Sequence, residues 1–196
     1  MEGTPSKHEP PFFRRWFFMT TLGWLLGFVL VIAMASAIEV VGGNFQFIVG
    51  VGMGAGVGLL QSRVLAQKLN APKQWIWASA IGMGGAFLLW DVAAMAGVEE
   101  AFSLSVCVAI GGPVVGFAQS QLLKHGYDKT HWWILASFLG WGSPAGLVLL
   151  GESQLLGRVG GIMVVSTLFL GGTLLGAVTG KALLWLPERP TSSAVG

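Results

Sequence analysis

Long apolar stretches separated by short polar breaks run along almost the whole chain, and this pattern predicts six membrane-spanning helices. Each stretch holds about 20 residues or slightly more, the length that an α-helix needs to cross the hydrocarbon core of a bilayer. The predicted spans are Trp16 to Val40, Phe45 to Ala66, Trp75 to Ala96, Ala101 to Leu123, Trp132 to Leu150 and Val159 to Leu186. The sequence therefore predicts an all-α polytopic membrane protein with short loops.

The composition agrees with this fold class. Hydrophobic residues make up 54% of the 196 residues and charged residues 10%, with a mean hydropathy of +0.71. A soluble domain has about 25% charged residues. We therefore exclude a water-soluble fold and expect the lipid bilayer to be the main partner, with further membrane-protein subunits as additional partners and no nucleic acid.

The two ends of the chain lie outside the predicted membrane domain of residues 16–186. Residues 1–15 contain three prolines and are predicted to be a disordered arm, and residues 187–196 a short tail. Arg14 and Arg15 before the first span resemble a twin-arginine signal, and Ala35-Ser36-Ala37 resembles a cleavage site. The apolar stretch between them exceeds the roughly 7–15 residues of a signal peptide, so we expect the first span to be retained.

The basic residues are distributed unevenly between the two sides of the predicted membrane. Arg158 lies on one side, together with four glutamates, and the other ten of the 11 basic residues lie on the side of the termini. Short loops rich in Lys and Arg remain in the cytoplasm. Both termini are therefore predicted to be cytoplasmic.

The chain also resembles itself at intervals of 58 to 60 residues. Odd-numbered spans share a Trp-x-x-Ala/Met-Ser/Thr-x-x-Gly pattern that begins at Trp16, Trp75 and Trp133. Even-numbered spans share a Gly-x-x-x-Gly-x-x-Gln/Thr pattern, namely Gly54, Gly58 and Gln61, then Gly112, Gly116 and Gln119, then Gly172, Gly176 and Thr179. We interpret the chain as three copies of one helical hairpin, at about 16–66, 75–124 and 132–186, related by a pseudo-three-fold axis near the bilayer normal.

Two features of these patterns predict packing. Glycines four residues apart let a neighbouring helix approach closely, so the three glycine pairs are predicted at helix contacts, with a glycine-lined pore as the alternative. Six tryptophans are predicted to form an aromatic belt at the membrane interface. These are Trp16, Trp75, Trp77, Trp132, Trp133 and Trp185.

Four polar side chains within or next to the spans are candidates for a polar path or for buried polar contacts. Asp91 lies about 7 Å from the middle of its span by the helical rise, and an acid at that depth needs a partner, water or a proton. Arg158 is its predicted partner, unless Asp91 reaches the interface or a hydroxyl group. Gln61 and Gln119 occupy equivalent positions. We interpret them as hydrogen-bonding partners between helices, with contact to a solute as the less favoured alternative.

No catalytic, metal or cofactor site is predicted. The three histidines, His8, His125 and His131, lie outside the spans, and Cys107 is the one cysteine. These residues supply neither a haem ligand within the membrane nor a complete metal site. We therefore expect no cofactor and no enzymatic activity.

The segments Thr20 to Gly27 and Trp132 to Trp141, together with the Gly-x-x-Gln turns, resemble a diffuse group of uncharacterised bacterial membrane proteins, many of them cyanobacterial. The resemblance implies a six-helix fold in a bacterial cytoplasmic or thylakoid membrane. It implies no activity. The sequence favours a structural or accessory subunit of a membrane complex. The alternative is a small-solute or ion channel or transporter that uses Asp91, Gln61, Gln119 and Arg158.

Overall fold

The computed structural model describes residues 12–39, 45–66, 72–98, 103–152 and 157–189. These residues form six α-helices, each long and apolar enough to cross a membrane. The helices are α1 Phe12–Glu39, α2 Phe47–Leu65, α3 Pro72–Met95, α4 Leu104–Leu123, α5 His131–Glu152 and α6 Gly157–Trp185. The predicted all-α polytopic class is confirmed.

The first helix begins earlier than predicted. Phe12 already belongs to α1, and its ring stacks on Trp16 with the ring centroids 6.2 Å apart. The predicted boundary of the disordered arm at residue 15 is therefore wrong, because aromatic packing extends the helix by one turn. Residues 1–11 lie outside the described part of the chain.

The remaining helix ends differ from the predicted ones by a few residues. α3 begins at Pro72, and proline is a common residue at the first position of a helix. Beyond α6, the backbone N–H of Asp128 donates to the Pro187 carbonyl, and the Arg189 guanidinium pairs with the Asp128 carboxylate at 2.8 Å. The first residues of the predicted tail are thus bound to the segment between α4 and α5, whereas residues 190–196 lie outside the described part.

The six helices form a closed ring. Each helix packs mainly against its two neighbours in sequence, and α6 packs against α1. We call the end where α1, α3 and α5 begin the basal end and the opposite end the distal end. Three of the contacts join one predicted hairpin to the next, α2–α3, α4–α5 and α6–α1, and we call these contacts the seams.

Glycines lie at all three seams. A Cβ atom added to Gly58 would come within 2.7 Å of the Ser79 Cβ, and one added to Gly116 within 2.6 Å of the Ser137 Cβ. A Cβ atom on Gly176 would lie 3.0 Å from the Phe17 carbonyl oxygen and 3.2 Å from the Cβ of Thr20, which occupies the same repeat position as Ser79 and Ser137. These three glycines make equivalent contacts and let the helices approach closely.

The other glycine of each pair also faces a helix across its seam. Gly54 lies against the Ser79 backbone, Gly112 against Trp141 and Gly172 against Trp24. The six glycines therefore contact helices and do not line a pore.

Within the described part of the chain, buried side chains fill the basal end of the ring and leave no lumen there. Trp16, Trp75 and Trp133 are 0%, 1% and 1% exposed and lie at the centre of this layer. The predicted belt is thus wrong for these three tryptophans, whereas Trp77, Trp132 and Trp185 are exposed as a belt requires. A second buried layer, distal to the first, contains Trp24, Met53, Val57, Met83, Phe87, Cys107, Val115, Trp141 and Leu175.

Candidate functional site

Three indole rings meet at the basal end of the ring of helices. The centroids of Trp16 and Trp75 are 6.3 Å apart, those of Trp16 and Trp133 6.1 Å, and those of Trp75 and Trp133 5.8 Å. Two of the pairs meet nearly edge to face, an arrangement favoured by the charge distribution of aromatic rings. We call this group the tryptophan core. It blocks the central axis of the protein at this level.

Each indole N–H of the tryptophan core donates across a seam. The Nε1 of Trp75 lies 3.1 Å from the Gln61 Oε1, and the Nε1 of Trp133 lies 2.9 Å from the Gln119 Oε1. At the seam between α6 and α1, the Nε1 of Trp16 lies 3.0 Å from the Thr179 Oγ1. The same donor thus finds an acceptor at every seam.

The two glutamines make a second hydrogen bond with their amide nitrogens. The Nε2 of Gln61 donates to the Thr20 Oγ1 at 3.2 Å, and the Nε2 of Gln119 donates to the Ser79 Oγ at 2.9 Å. Each glutamine therefore links a tryptophan of the next hairpin to a hydroxyl of its own hairpin. This is the structural role favoured by the sequence, although the two glutamines lie in separate seams.

The third hairpin differs at this point. The Thr179 hydroxyl donates to the Leu175 carbonyl of its own helix, and the Ser137 hydroxyl donates to the Gly112 carbonyl of α4 at 2.8 Å. Among the described residues, every buried side-chain nitrogen and oxygen has a hydrogen-bond partner. Each of these polar atoms therefore has at least one partner within the protein.

Asp91 lies at the other end of the molecule and caps a helix. Its two carboxylate oxygens accept from the backbone N–H groups of Gln46 and Phe47, at 2.7 and 2.8 Å. α2 begins at Phe47, and the Gln46 side chain makes no capping bond of its own. The carboxylate thus satisfies unpaired donors of the first turn and meets the positive end of the helix dipole.

The predicted polar residues do not converge on one site. By the helical rise, Asp91 lies about 24 Å along α3 from Trp75, whose indole N–H bonds to Gln61. The Arg158 side chain is outside the described part of the chain, so its predicted pairing with Asp91 stays a prediction.

Sequence reasoning missed the tryptophan core and the cap. One usable signal for the core was present, since Gln61 and Trp75 are separated by 14 positions, and so are Gln119 and Trp133. For the cap, the signal was Gln46, a residue type that rarely caps a helix. The first N–H groups of α2 therefore needed an acceptor from another part of the chain.

An apolar cavity of about 100 Å³ lies distal to the tryptophan core. Trp24, Met53, Met83, Phe87 and Trp141 form part of its wall. Ser105 and Thr167 also line the cavity, and the Thr167 hydroxyl donates to the Met163 carbonyl of its own helix. A cavity with so few polar groups in its wall offers little to orient a polar solute.

Comparison with known proteins identifies no relative. No protein family, no curated protein and no solved structure matches this chain.

Proposed function

We propose that this chain is a structural or accessory subunit of a bacterial membrane complex and has no enzymatic activity of its own. The observation that carries the proposal is the tryptophan core, in which all three indole N–H groups have an acceptor within the protein. Trp16, Trp75 and Trp133 fill the axis, and their hydrogen bonds join the hairpins into one closed body. Such a body is suited to hold neighbouring subunits in place.

The same contacts argue against the competing channel or transporter. A polar path needs side chains that exchange partners with water or a solute. Gln61 and Gln119 each bond to two protein side chains, and both Asp91 oxygens bond to the backbone of α2. Opening a path through these residues would require breaking contacts that hold the helices together.

We infer that a neighbouring subunit docks on the distal half of α1. This part of the helix is apolar and poorly covered, with Val29 and Ile32 exposed by 60% and 65%. Ala33 and Ala37 are also exposed and lie about one turn apart. Small residues with this spacing let another membrane helix pack closely.

Site-specific photocrosslinking in the native membrane tests this docking surface. A photoreactive amino acid at Ile32 should give a discrete crosslinked band, and the same group at Ile81 on α3, which is equally exposed, should give none. Equal bands from both positions would contradict a specific interface.

Flux measurements test the competing function with the purified protein. In liposomes under a K⁺ or H⁺ gradient, the structural proposal expects no flux above that of empty liposomes. A flux that Asp91→Asn abolishes, with the fold intact, would overturn the proposal in favour of a channel or transporter.

The placement in the membrane is also a proposal. We propose a bacterial cytoplasmic or thylakoid membrane with both termini in the cytoplasm, because ten of the basic residues lie on the side of the termini. Cysteines introduced at Ser6 and Ser193 should react only from the inner face, whereas Cys107 is buried and serves as an unreactive background. Reaction from outside at either position would contradict this orientation.

We further propose that the three hairpins are copies of one unit. The seam contacts support this, since Gly58, Gly116 and Gly176 face equivalent positions of the next hairpin. The indole bond recurs at every seam as well. Superposition of an experimental structure on itself after rotation by about 120° would test the pseudo-three-fold axis.

A further inference from the structure

We propose that a groove between α5 and α6 at the basal end binds an anionic phospholipid. The groove has a volume of about 820 Å³ and opens on the outside of the ring of helices. Because these helices span the membrane, lipid is the molecule that this surface meets at the highest concentration. The shape and the charge of the groove select among lipids.

The walls of the groove fit an acyl chain. α5 contributes Trp132, Leu135 and Leu139, which lie on one face of the helix. α6 contributes Val178 and, about two turns further, Trp185. Both rows run along their helices, so a chain lying in the groove would run parallel to the acyl chains of the bilayer.

Small side chains create the space between these rows. Ala136, Ala177 and Ala182 line the groove where a larger residue would fill it. Trp132 and Trp185 are 56% and 82% exposed and flank its basal part. Exposed indoles are typical of the headgroup level of a membrane, which places the basal end of the groove at that level.

The charge at the basal end favours an anionic headgroup. Lys129 precedes α5, Lys181 lies one turn before the end of α6, and both line the groove and are exposed. The Lys181 Nζ lies 5.4 Å from the centroid of the Phe13 ring. Two ammonium groups at one end of an apolar groove complement a lipid phosphate whose attached alcohol carries no positive charge, so that the headgroup as a whole is anionic.

The nearby acidic groups are already engaged. Among the described residues that line the groove, none is acidic. Asp128, next to Lys129 in sequence, pairs with Arg189, and Glu188 has an interaction partner as well. Among the described residues, the lining of the groove therefore carries two positive charges and no negative one.

The second hairpin provides an internal contrast. At the positions equivalent to Trp132 and Lys181 it has Gln74 and Gln121, which carry no charge and no indole. The first hairpin has Arg15 and Arg63 there, which are cationic but not aromatic. The combination of lysines with exposed tryptophans belongs to the third hairpin, so we assign one lipid site to the chain.

Native mass spectrometry of the detergent-solubilised protein tests the proposal. Phosphatidylglycerol should bind more tightly than phosphatidylcholine with the same acyl chains. The double substitution Lys129→Gln with Lys181→Gln should weaken phosphatidylglycerol binding by about tenfold and leave phosphatidylcholine binding unchanged. The matched control is Lys73→Gln with Lys124→Gln, which removes two exposed basal lysines outside the groove and should have no effect.

A second variant tests the apolar part of the groove. Ala177→Phe should fill the space and weaken binding of both lipids, with thermal stability showing that the variant is folded. Equal loss of phosphatidylglycerol in the control double variant, or unchanged binding in Ala177→Phe, would overturn the proposal. Displacement of the bound lipid by millimolar inorganic phosphate would also overturn it, because the groove would then be a site for free phosphate. So would a crosslink to a protein in native membranes from a photoreactive amino acid introduced in place of Trp132, because the groove would then be a protein interface.

Discussion

The seam between α6 and α1 differs from the other two seams in how it is held. At the α2–α3 and α4–α5 seams, a glutamine accepts from an indole that lies 14 positions away in sequence. At the α6–α1 seam, Thr179 accepts from Trp16, and the two residues are 163 positions apart. The glutamines also donate to a hydroxyl of their own hairpin, whereas the Thr179 hydroxyl donates to its own helix.

This difference shows which contact every seam requires and which features depend on whether the two helices are neighbours in sequence. An indole N–H buried between helices requires an acceptor, and either an amide or a hydroxyl oxygen is sufficient. Gln61 and Gln119 each donate a further bond to the other helix of their own hairpin, whereas the Thr179 hydroxyl donates only to its own helix. The α6–α1 seam also joins distant parts of the chain, so opening it releases more chain entropy. We expect it to be the first seam to open.

The largest effects are expected from filling the seams with side chains. Gly58→Leu and Gly116→Leu should each lower the free energy of unfolding by about 1–3 kcal/mol through overpacking. Gly176→Leu should cost less than either, because its neighbours lie at 3.0 Å and beyond instead of 2.6–2.7 Å. Thermal unfolding in one detergent measures the three variants.

Two other glycines serve as controls for these variants. Gly85 on α3 and Gly161 on α6 have no neighbouring atom within 4 Å of an added Cβ. Their leucine variants should unfold close to the wild-type temperature. If all three seam variants also matched the wild type, the close-packed model of the seams would have to be given up.

A smaller effect is expected from removing the polar bridges. Gln61→Leu and Gln119→Leu should each cost about 1–2 kcal/mol, because an indole N–H loses its acceptor and a second hydrogen bond is lost. Thr179→Val should cost less, since it removes one bond between helices. Chemical unfolding in detergent gives these differences, with the exposed Gln74→Leu as the control.

A double variant sharpens this test of the bridges. Trp75→Phe combined with Gln61→Leu leaves neither partner unpaired, so its cost should be smaller than the sum of the two single variants. Additive costs would mean that the hydrogen bond between Trp75 and Gln61 contributes nothing.

The smallest effect is expected at the cap that distinguishes the α2–α3 seam from both others. The positions equivalent to Asp91 are Ile32 and Leu149, which cannot cap a helix. Asp91→Ala should cost about 1 kcal/mol, and Asp91→Asn less because one acceptor oxygen remains. Hydrogen exchange should show faster exchange at Gln46 and Phe47. Unchanged exchange at these two amides would contradict the capping role.

Much of the fold follows from local properties of the sequence. A run of about 20 apolar residues predicts a membrane helix wherever it occurs, so the six spans were predicted with ends that differ by a few residues. Glycines at a repeated spacing predicted close helix contacts, because the lack of a side chain is itself the property that permits them. Gln61 and Gln119 were recognised as a pair because their positions recur.

Tertiary structure decided which way each helix turns its side chains and which distant groups meet. A helix that is apolar on all sides has little contrast between its faces, so the sequence could not tell that Trp16, Trp75 and Trp133 face the axis and Trp77 faces outward. The sequence likewise could not reveal the partners of Asp91, because they are backbone N–H groups more than 40 positions away. Those groups become unpaired donors only where α2 begins, and their approach to α3 depends on how the two helices pack.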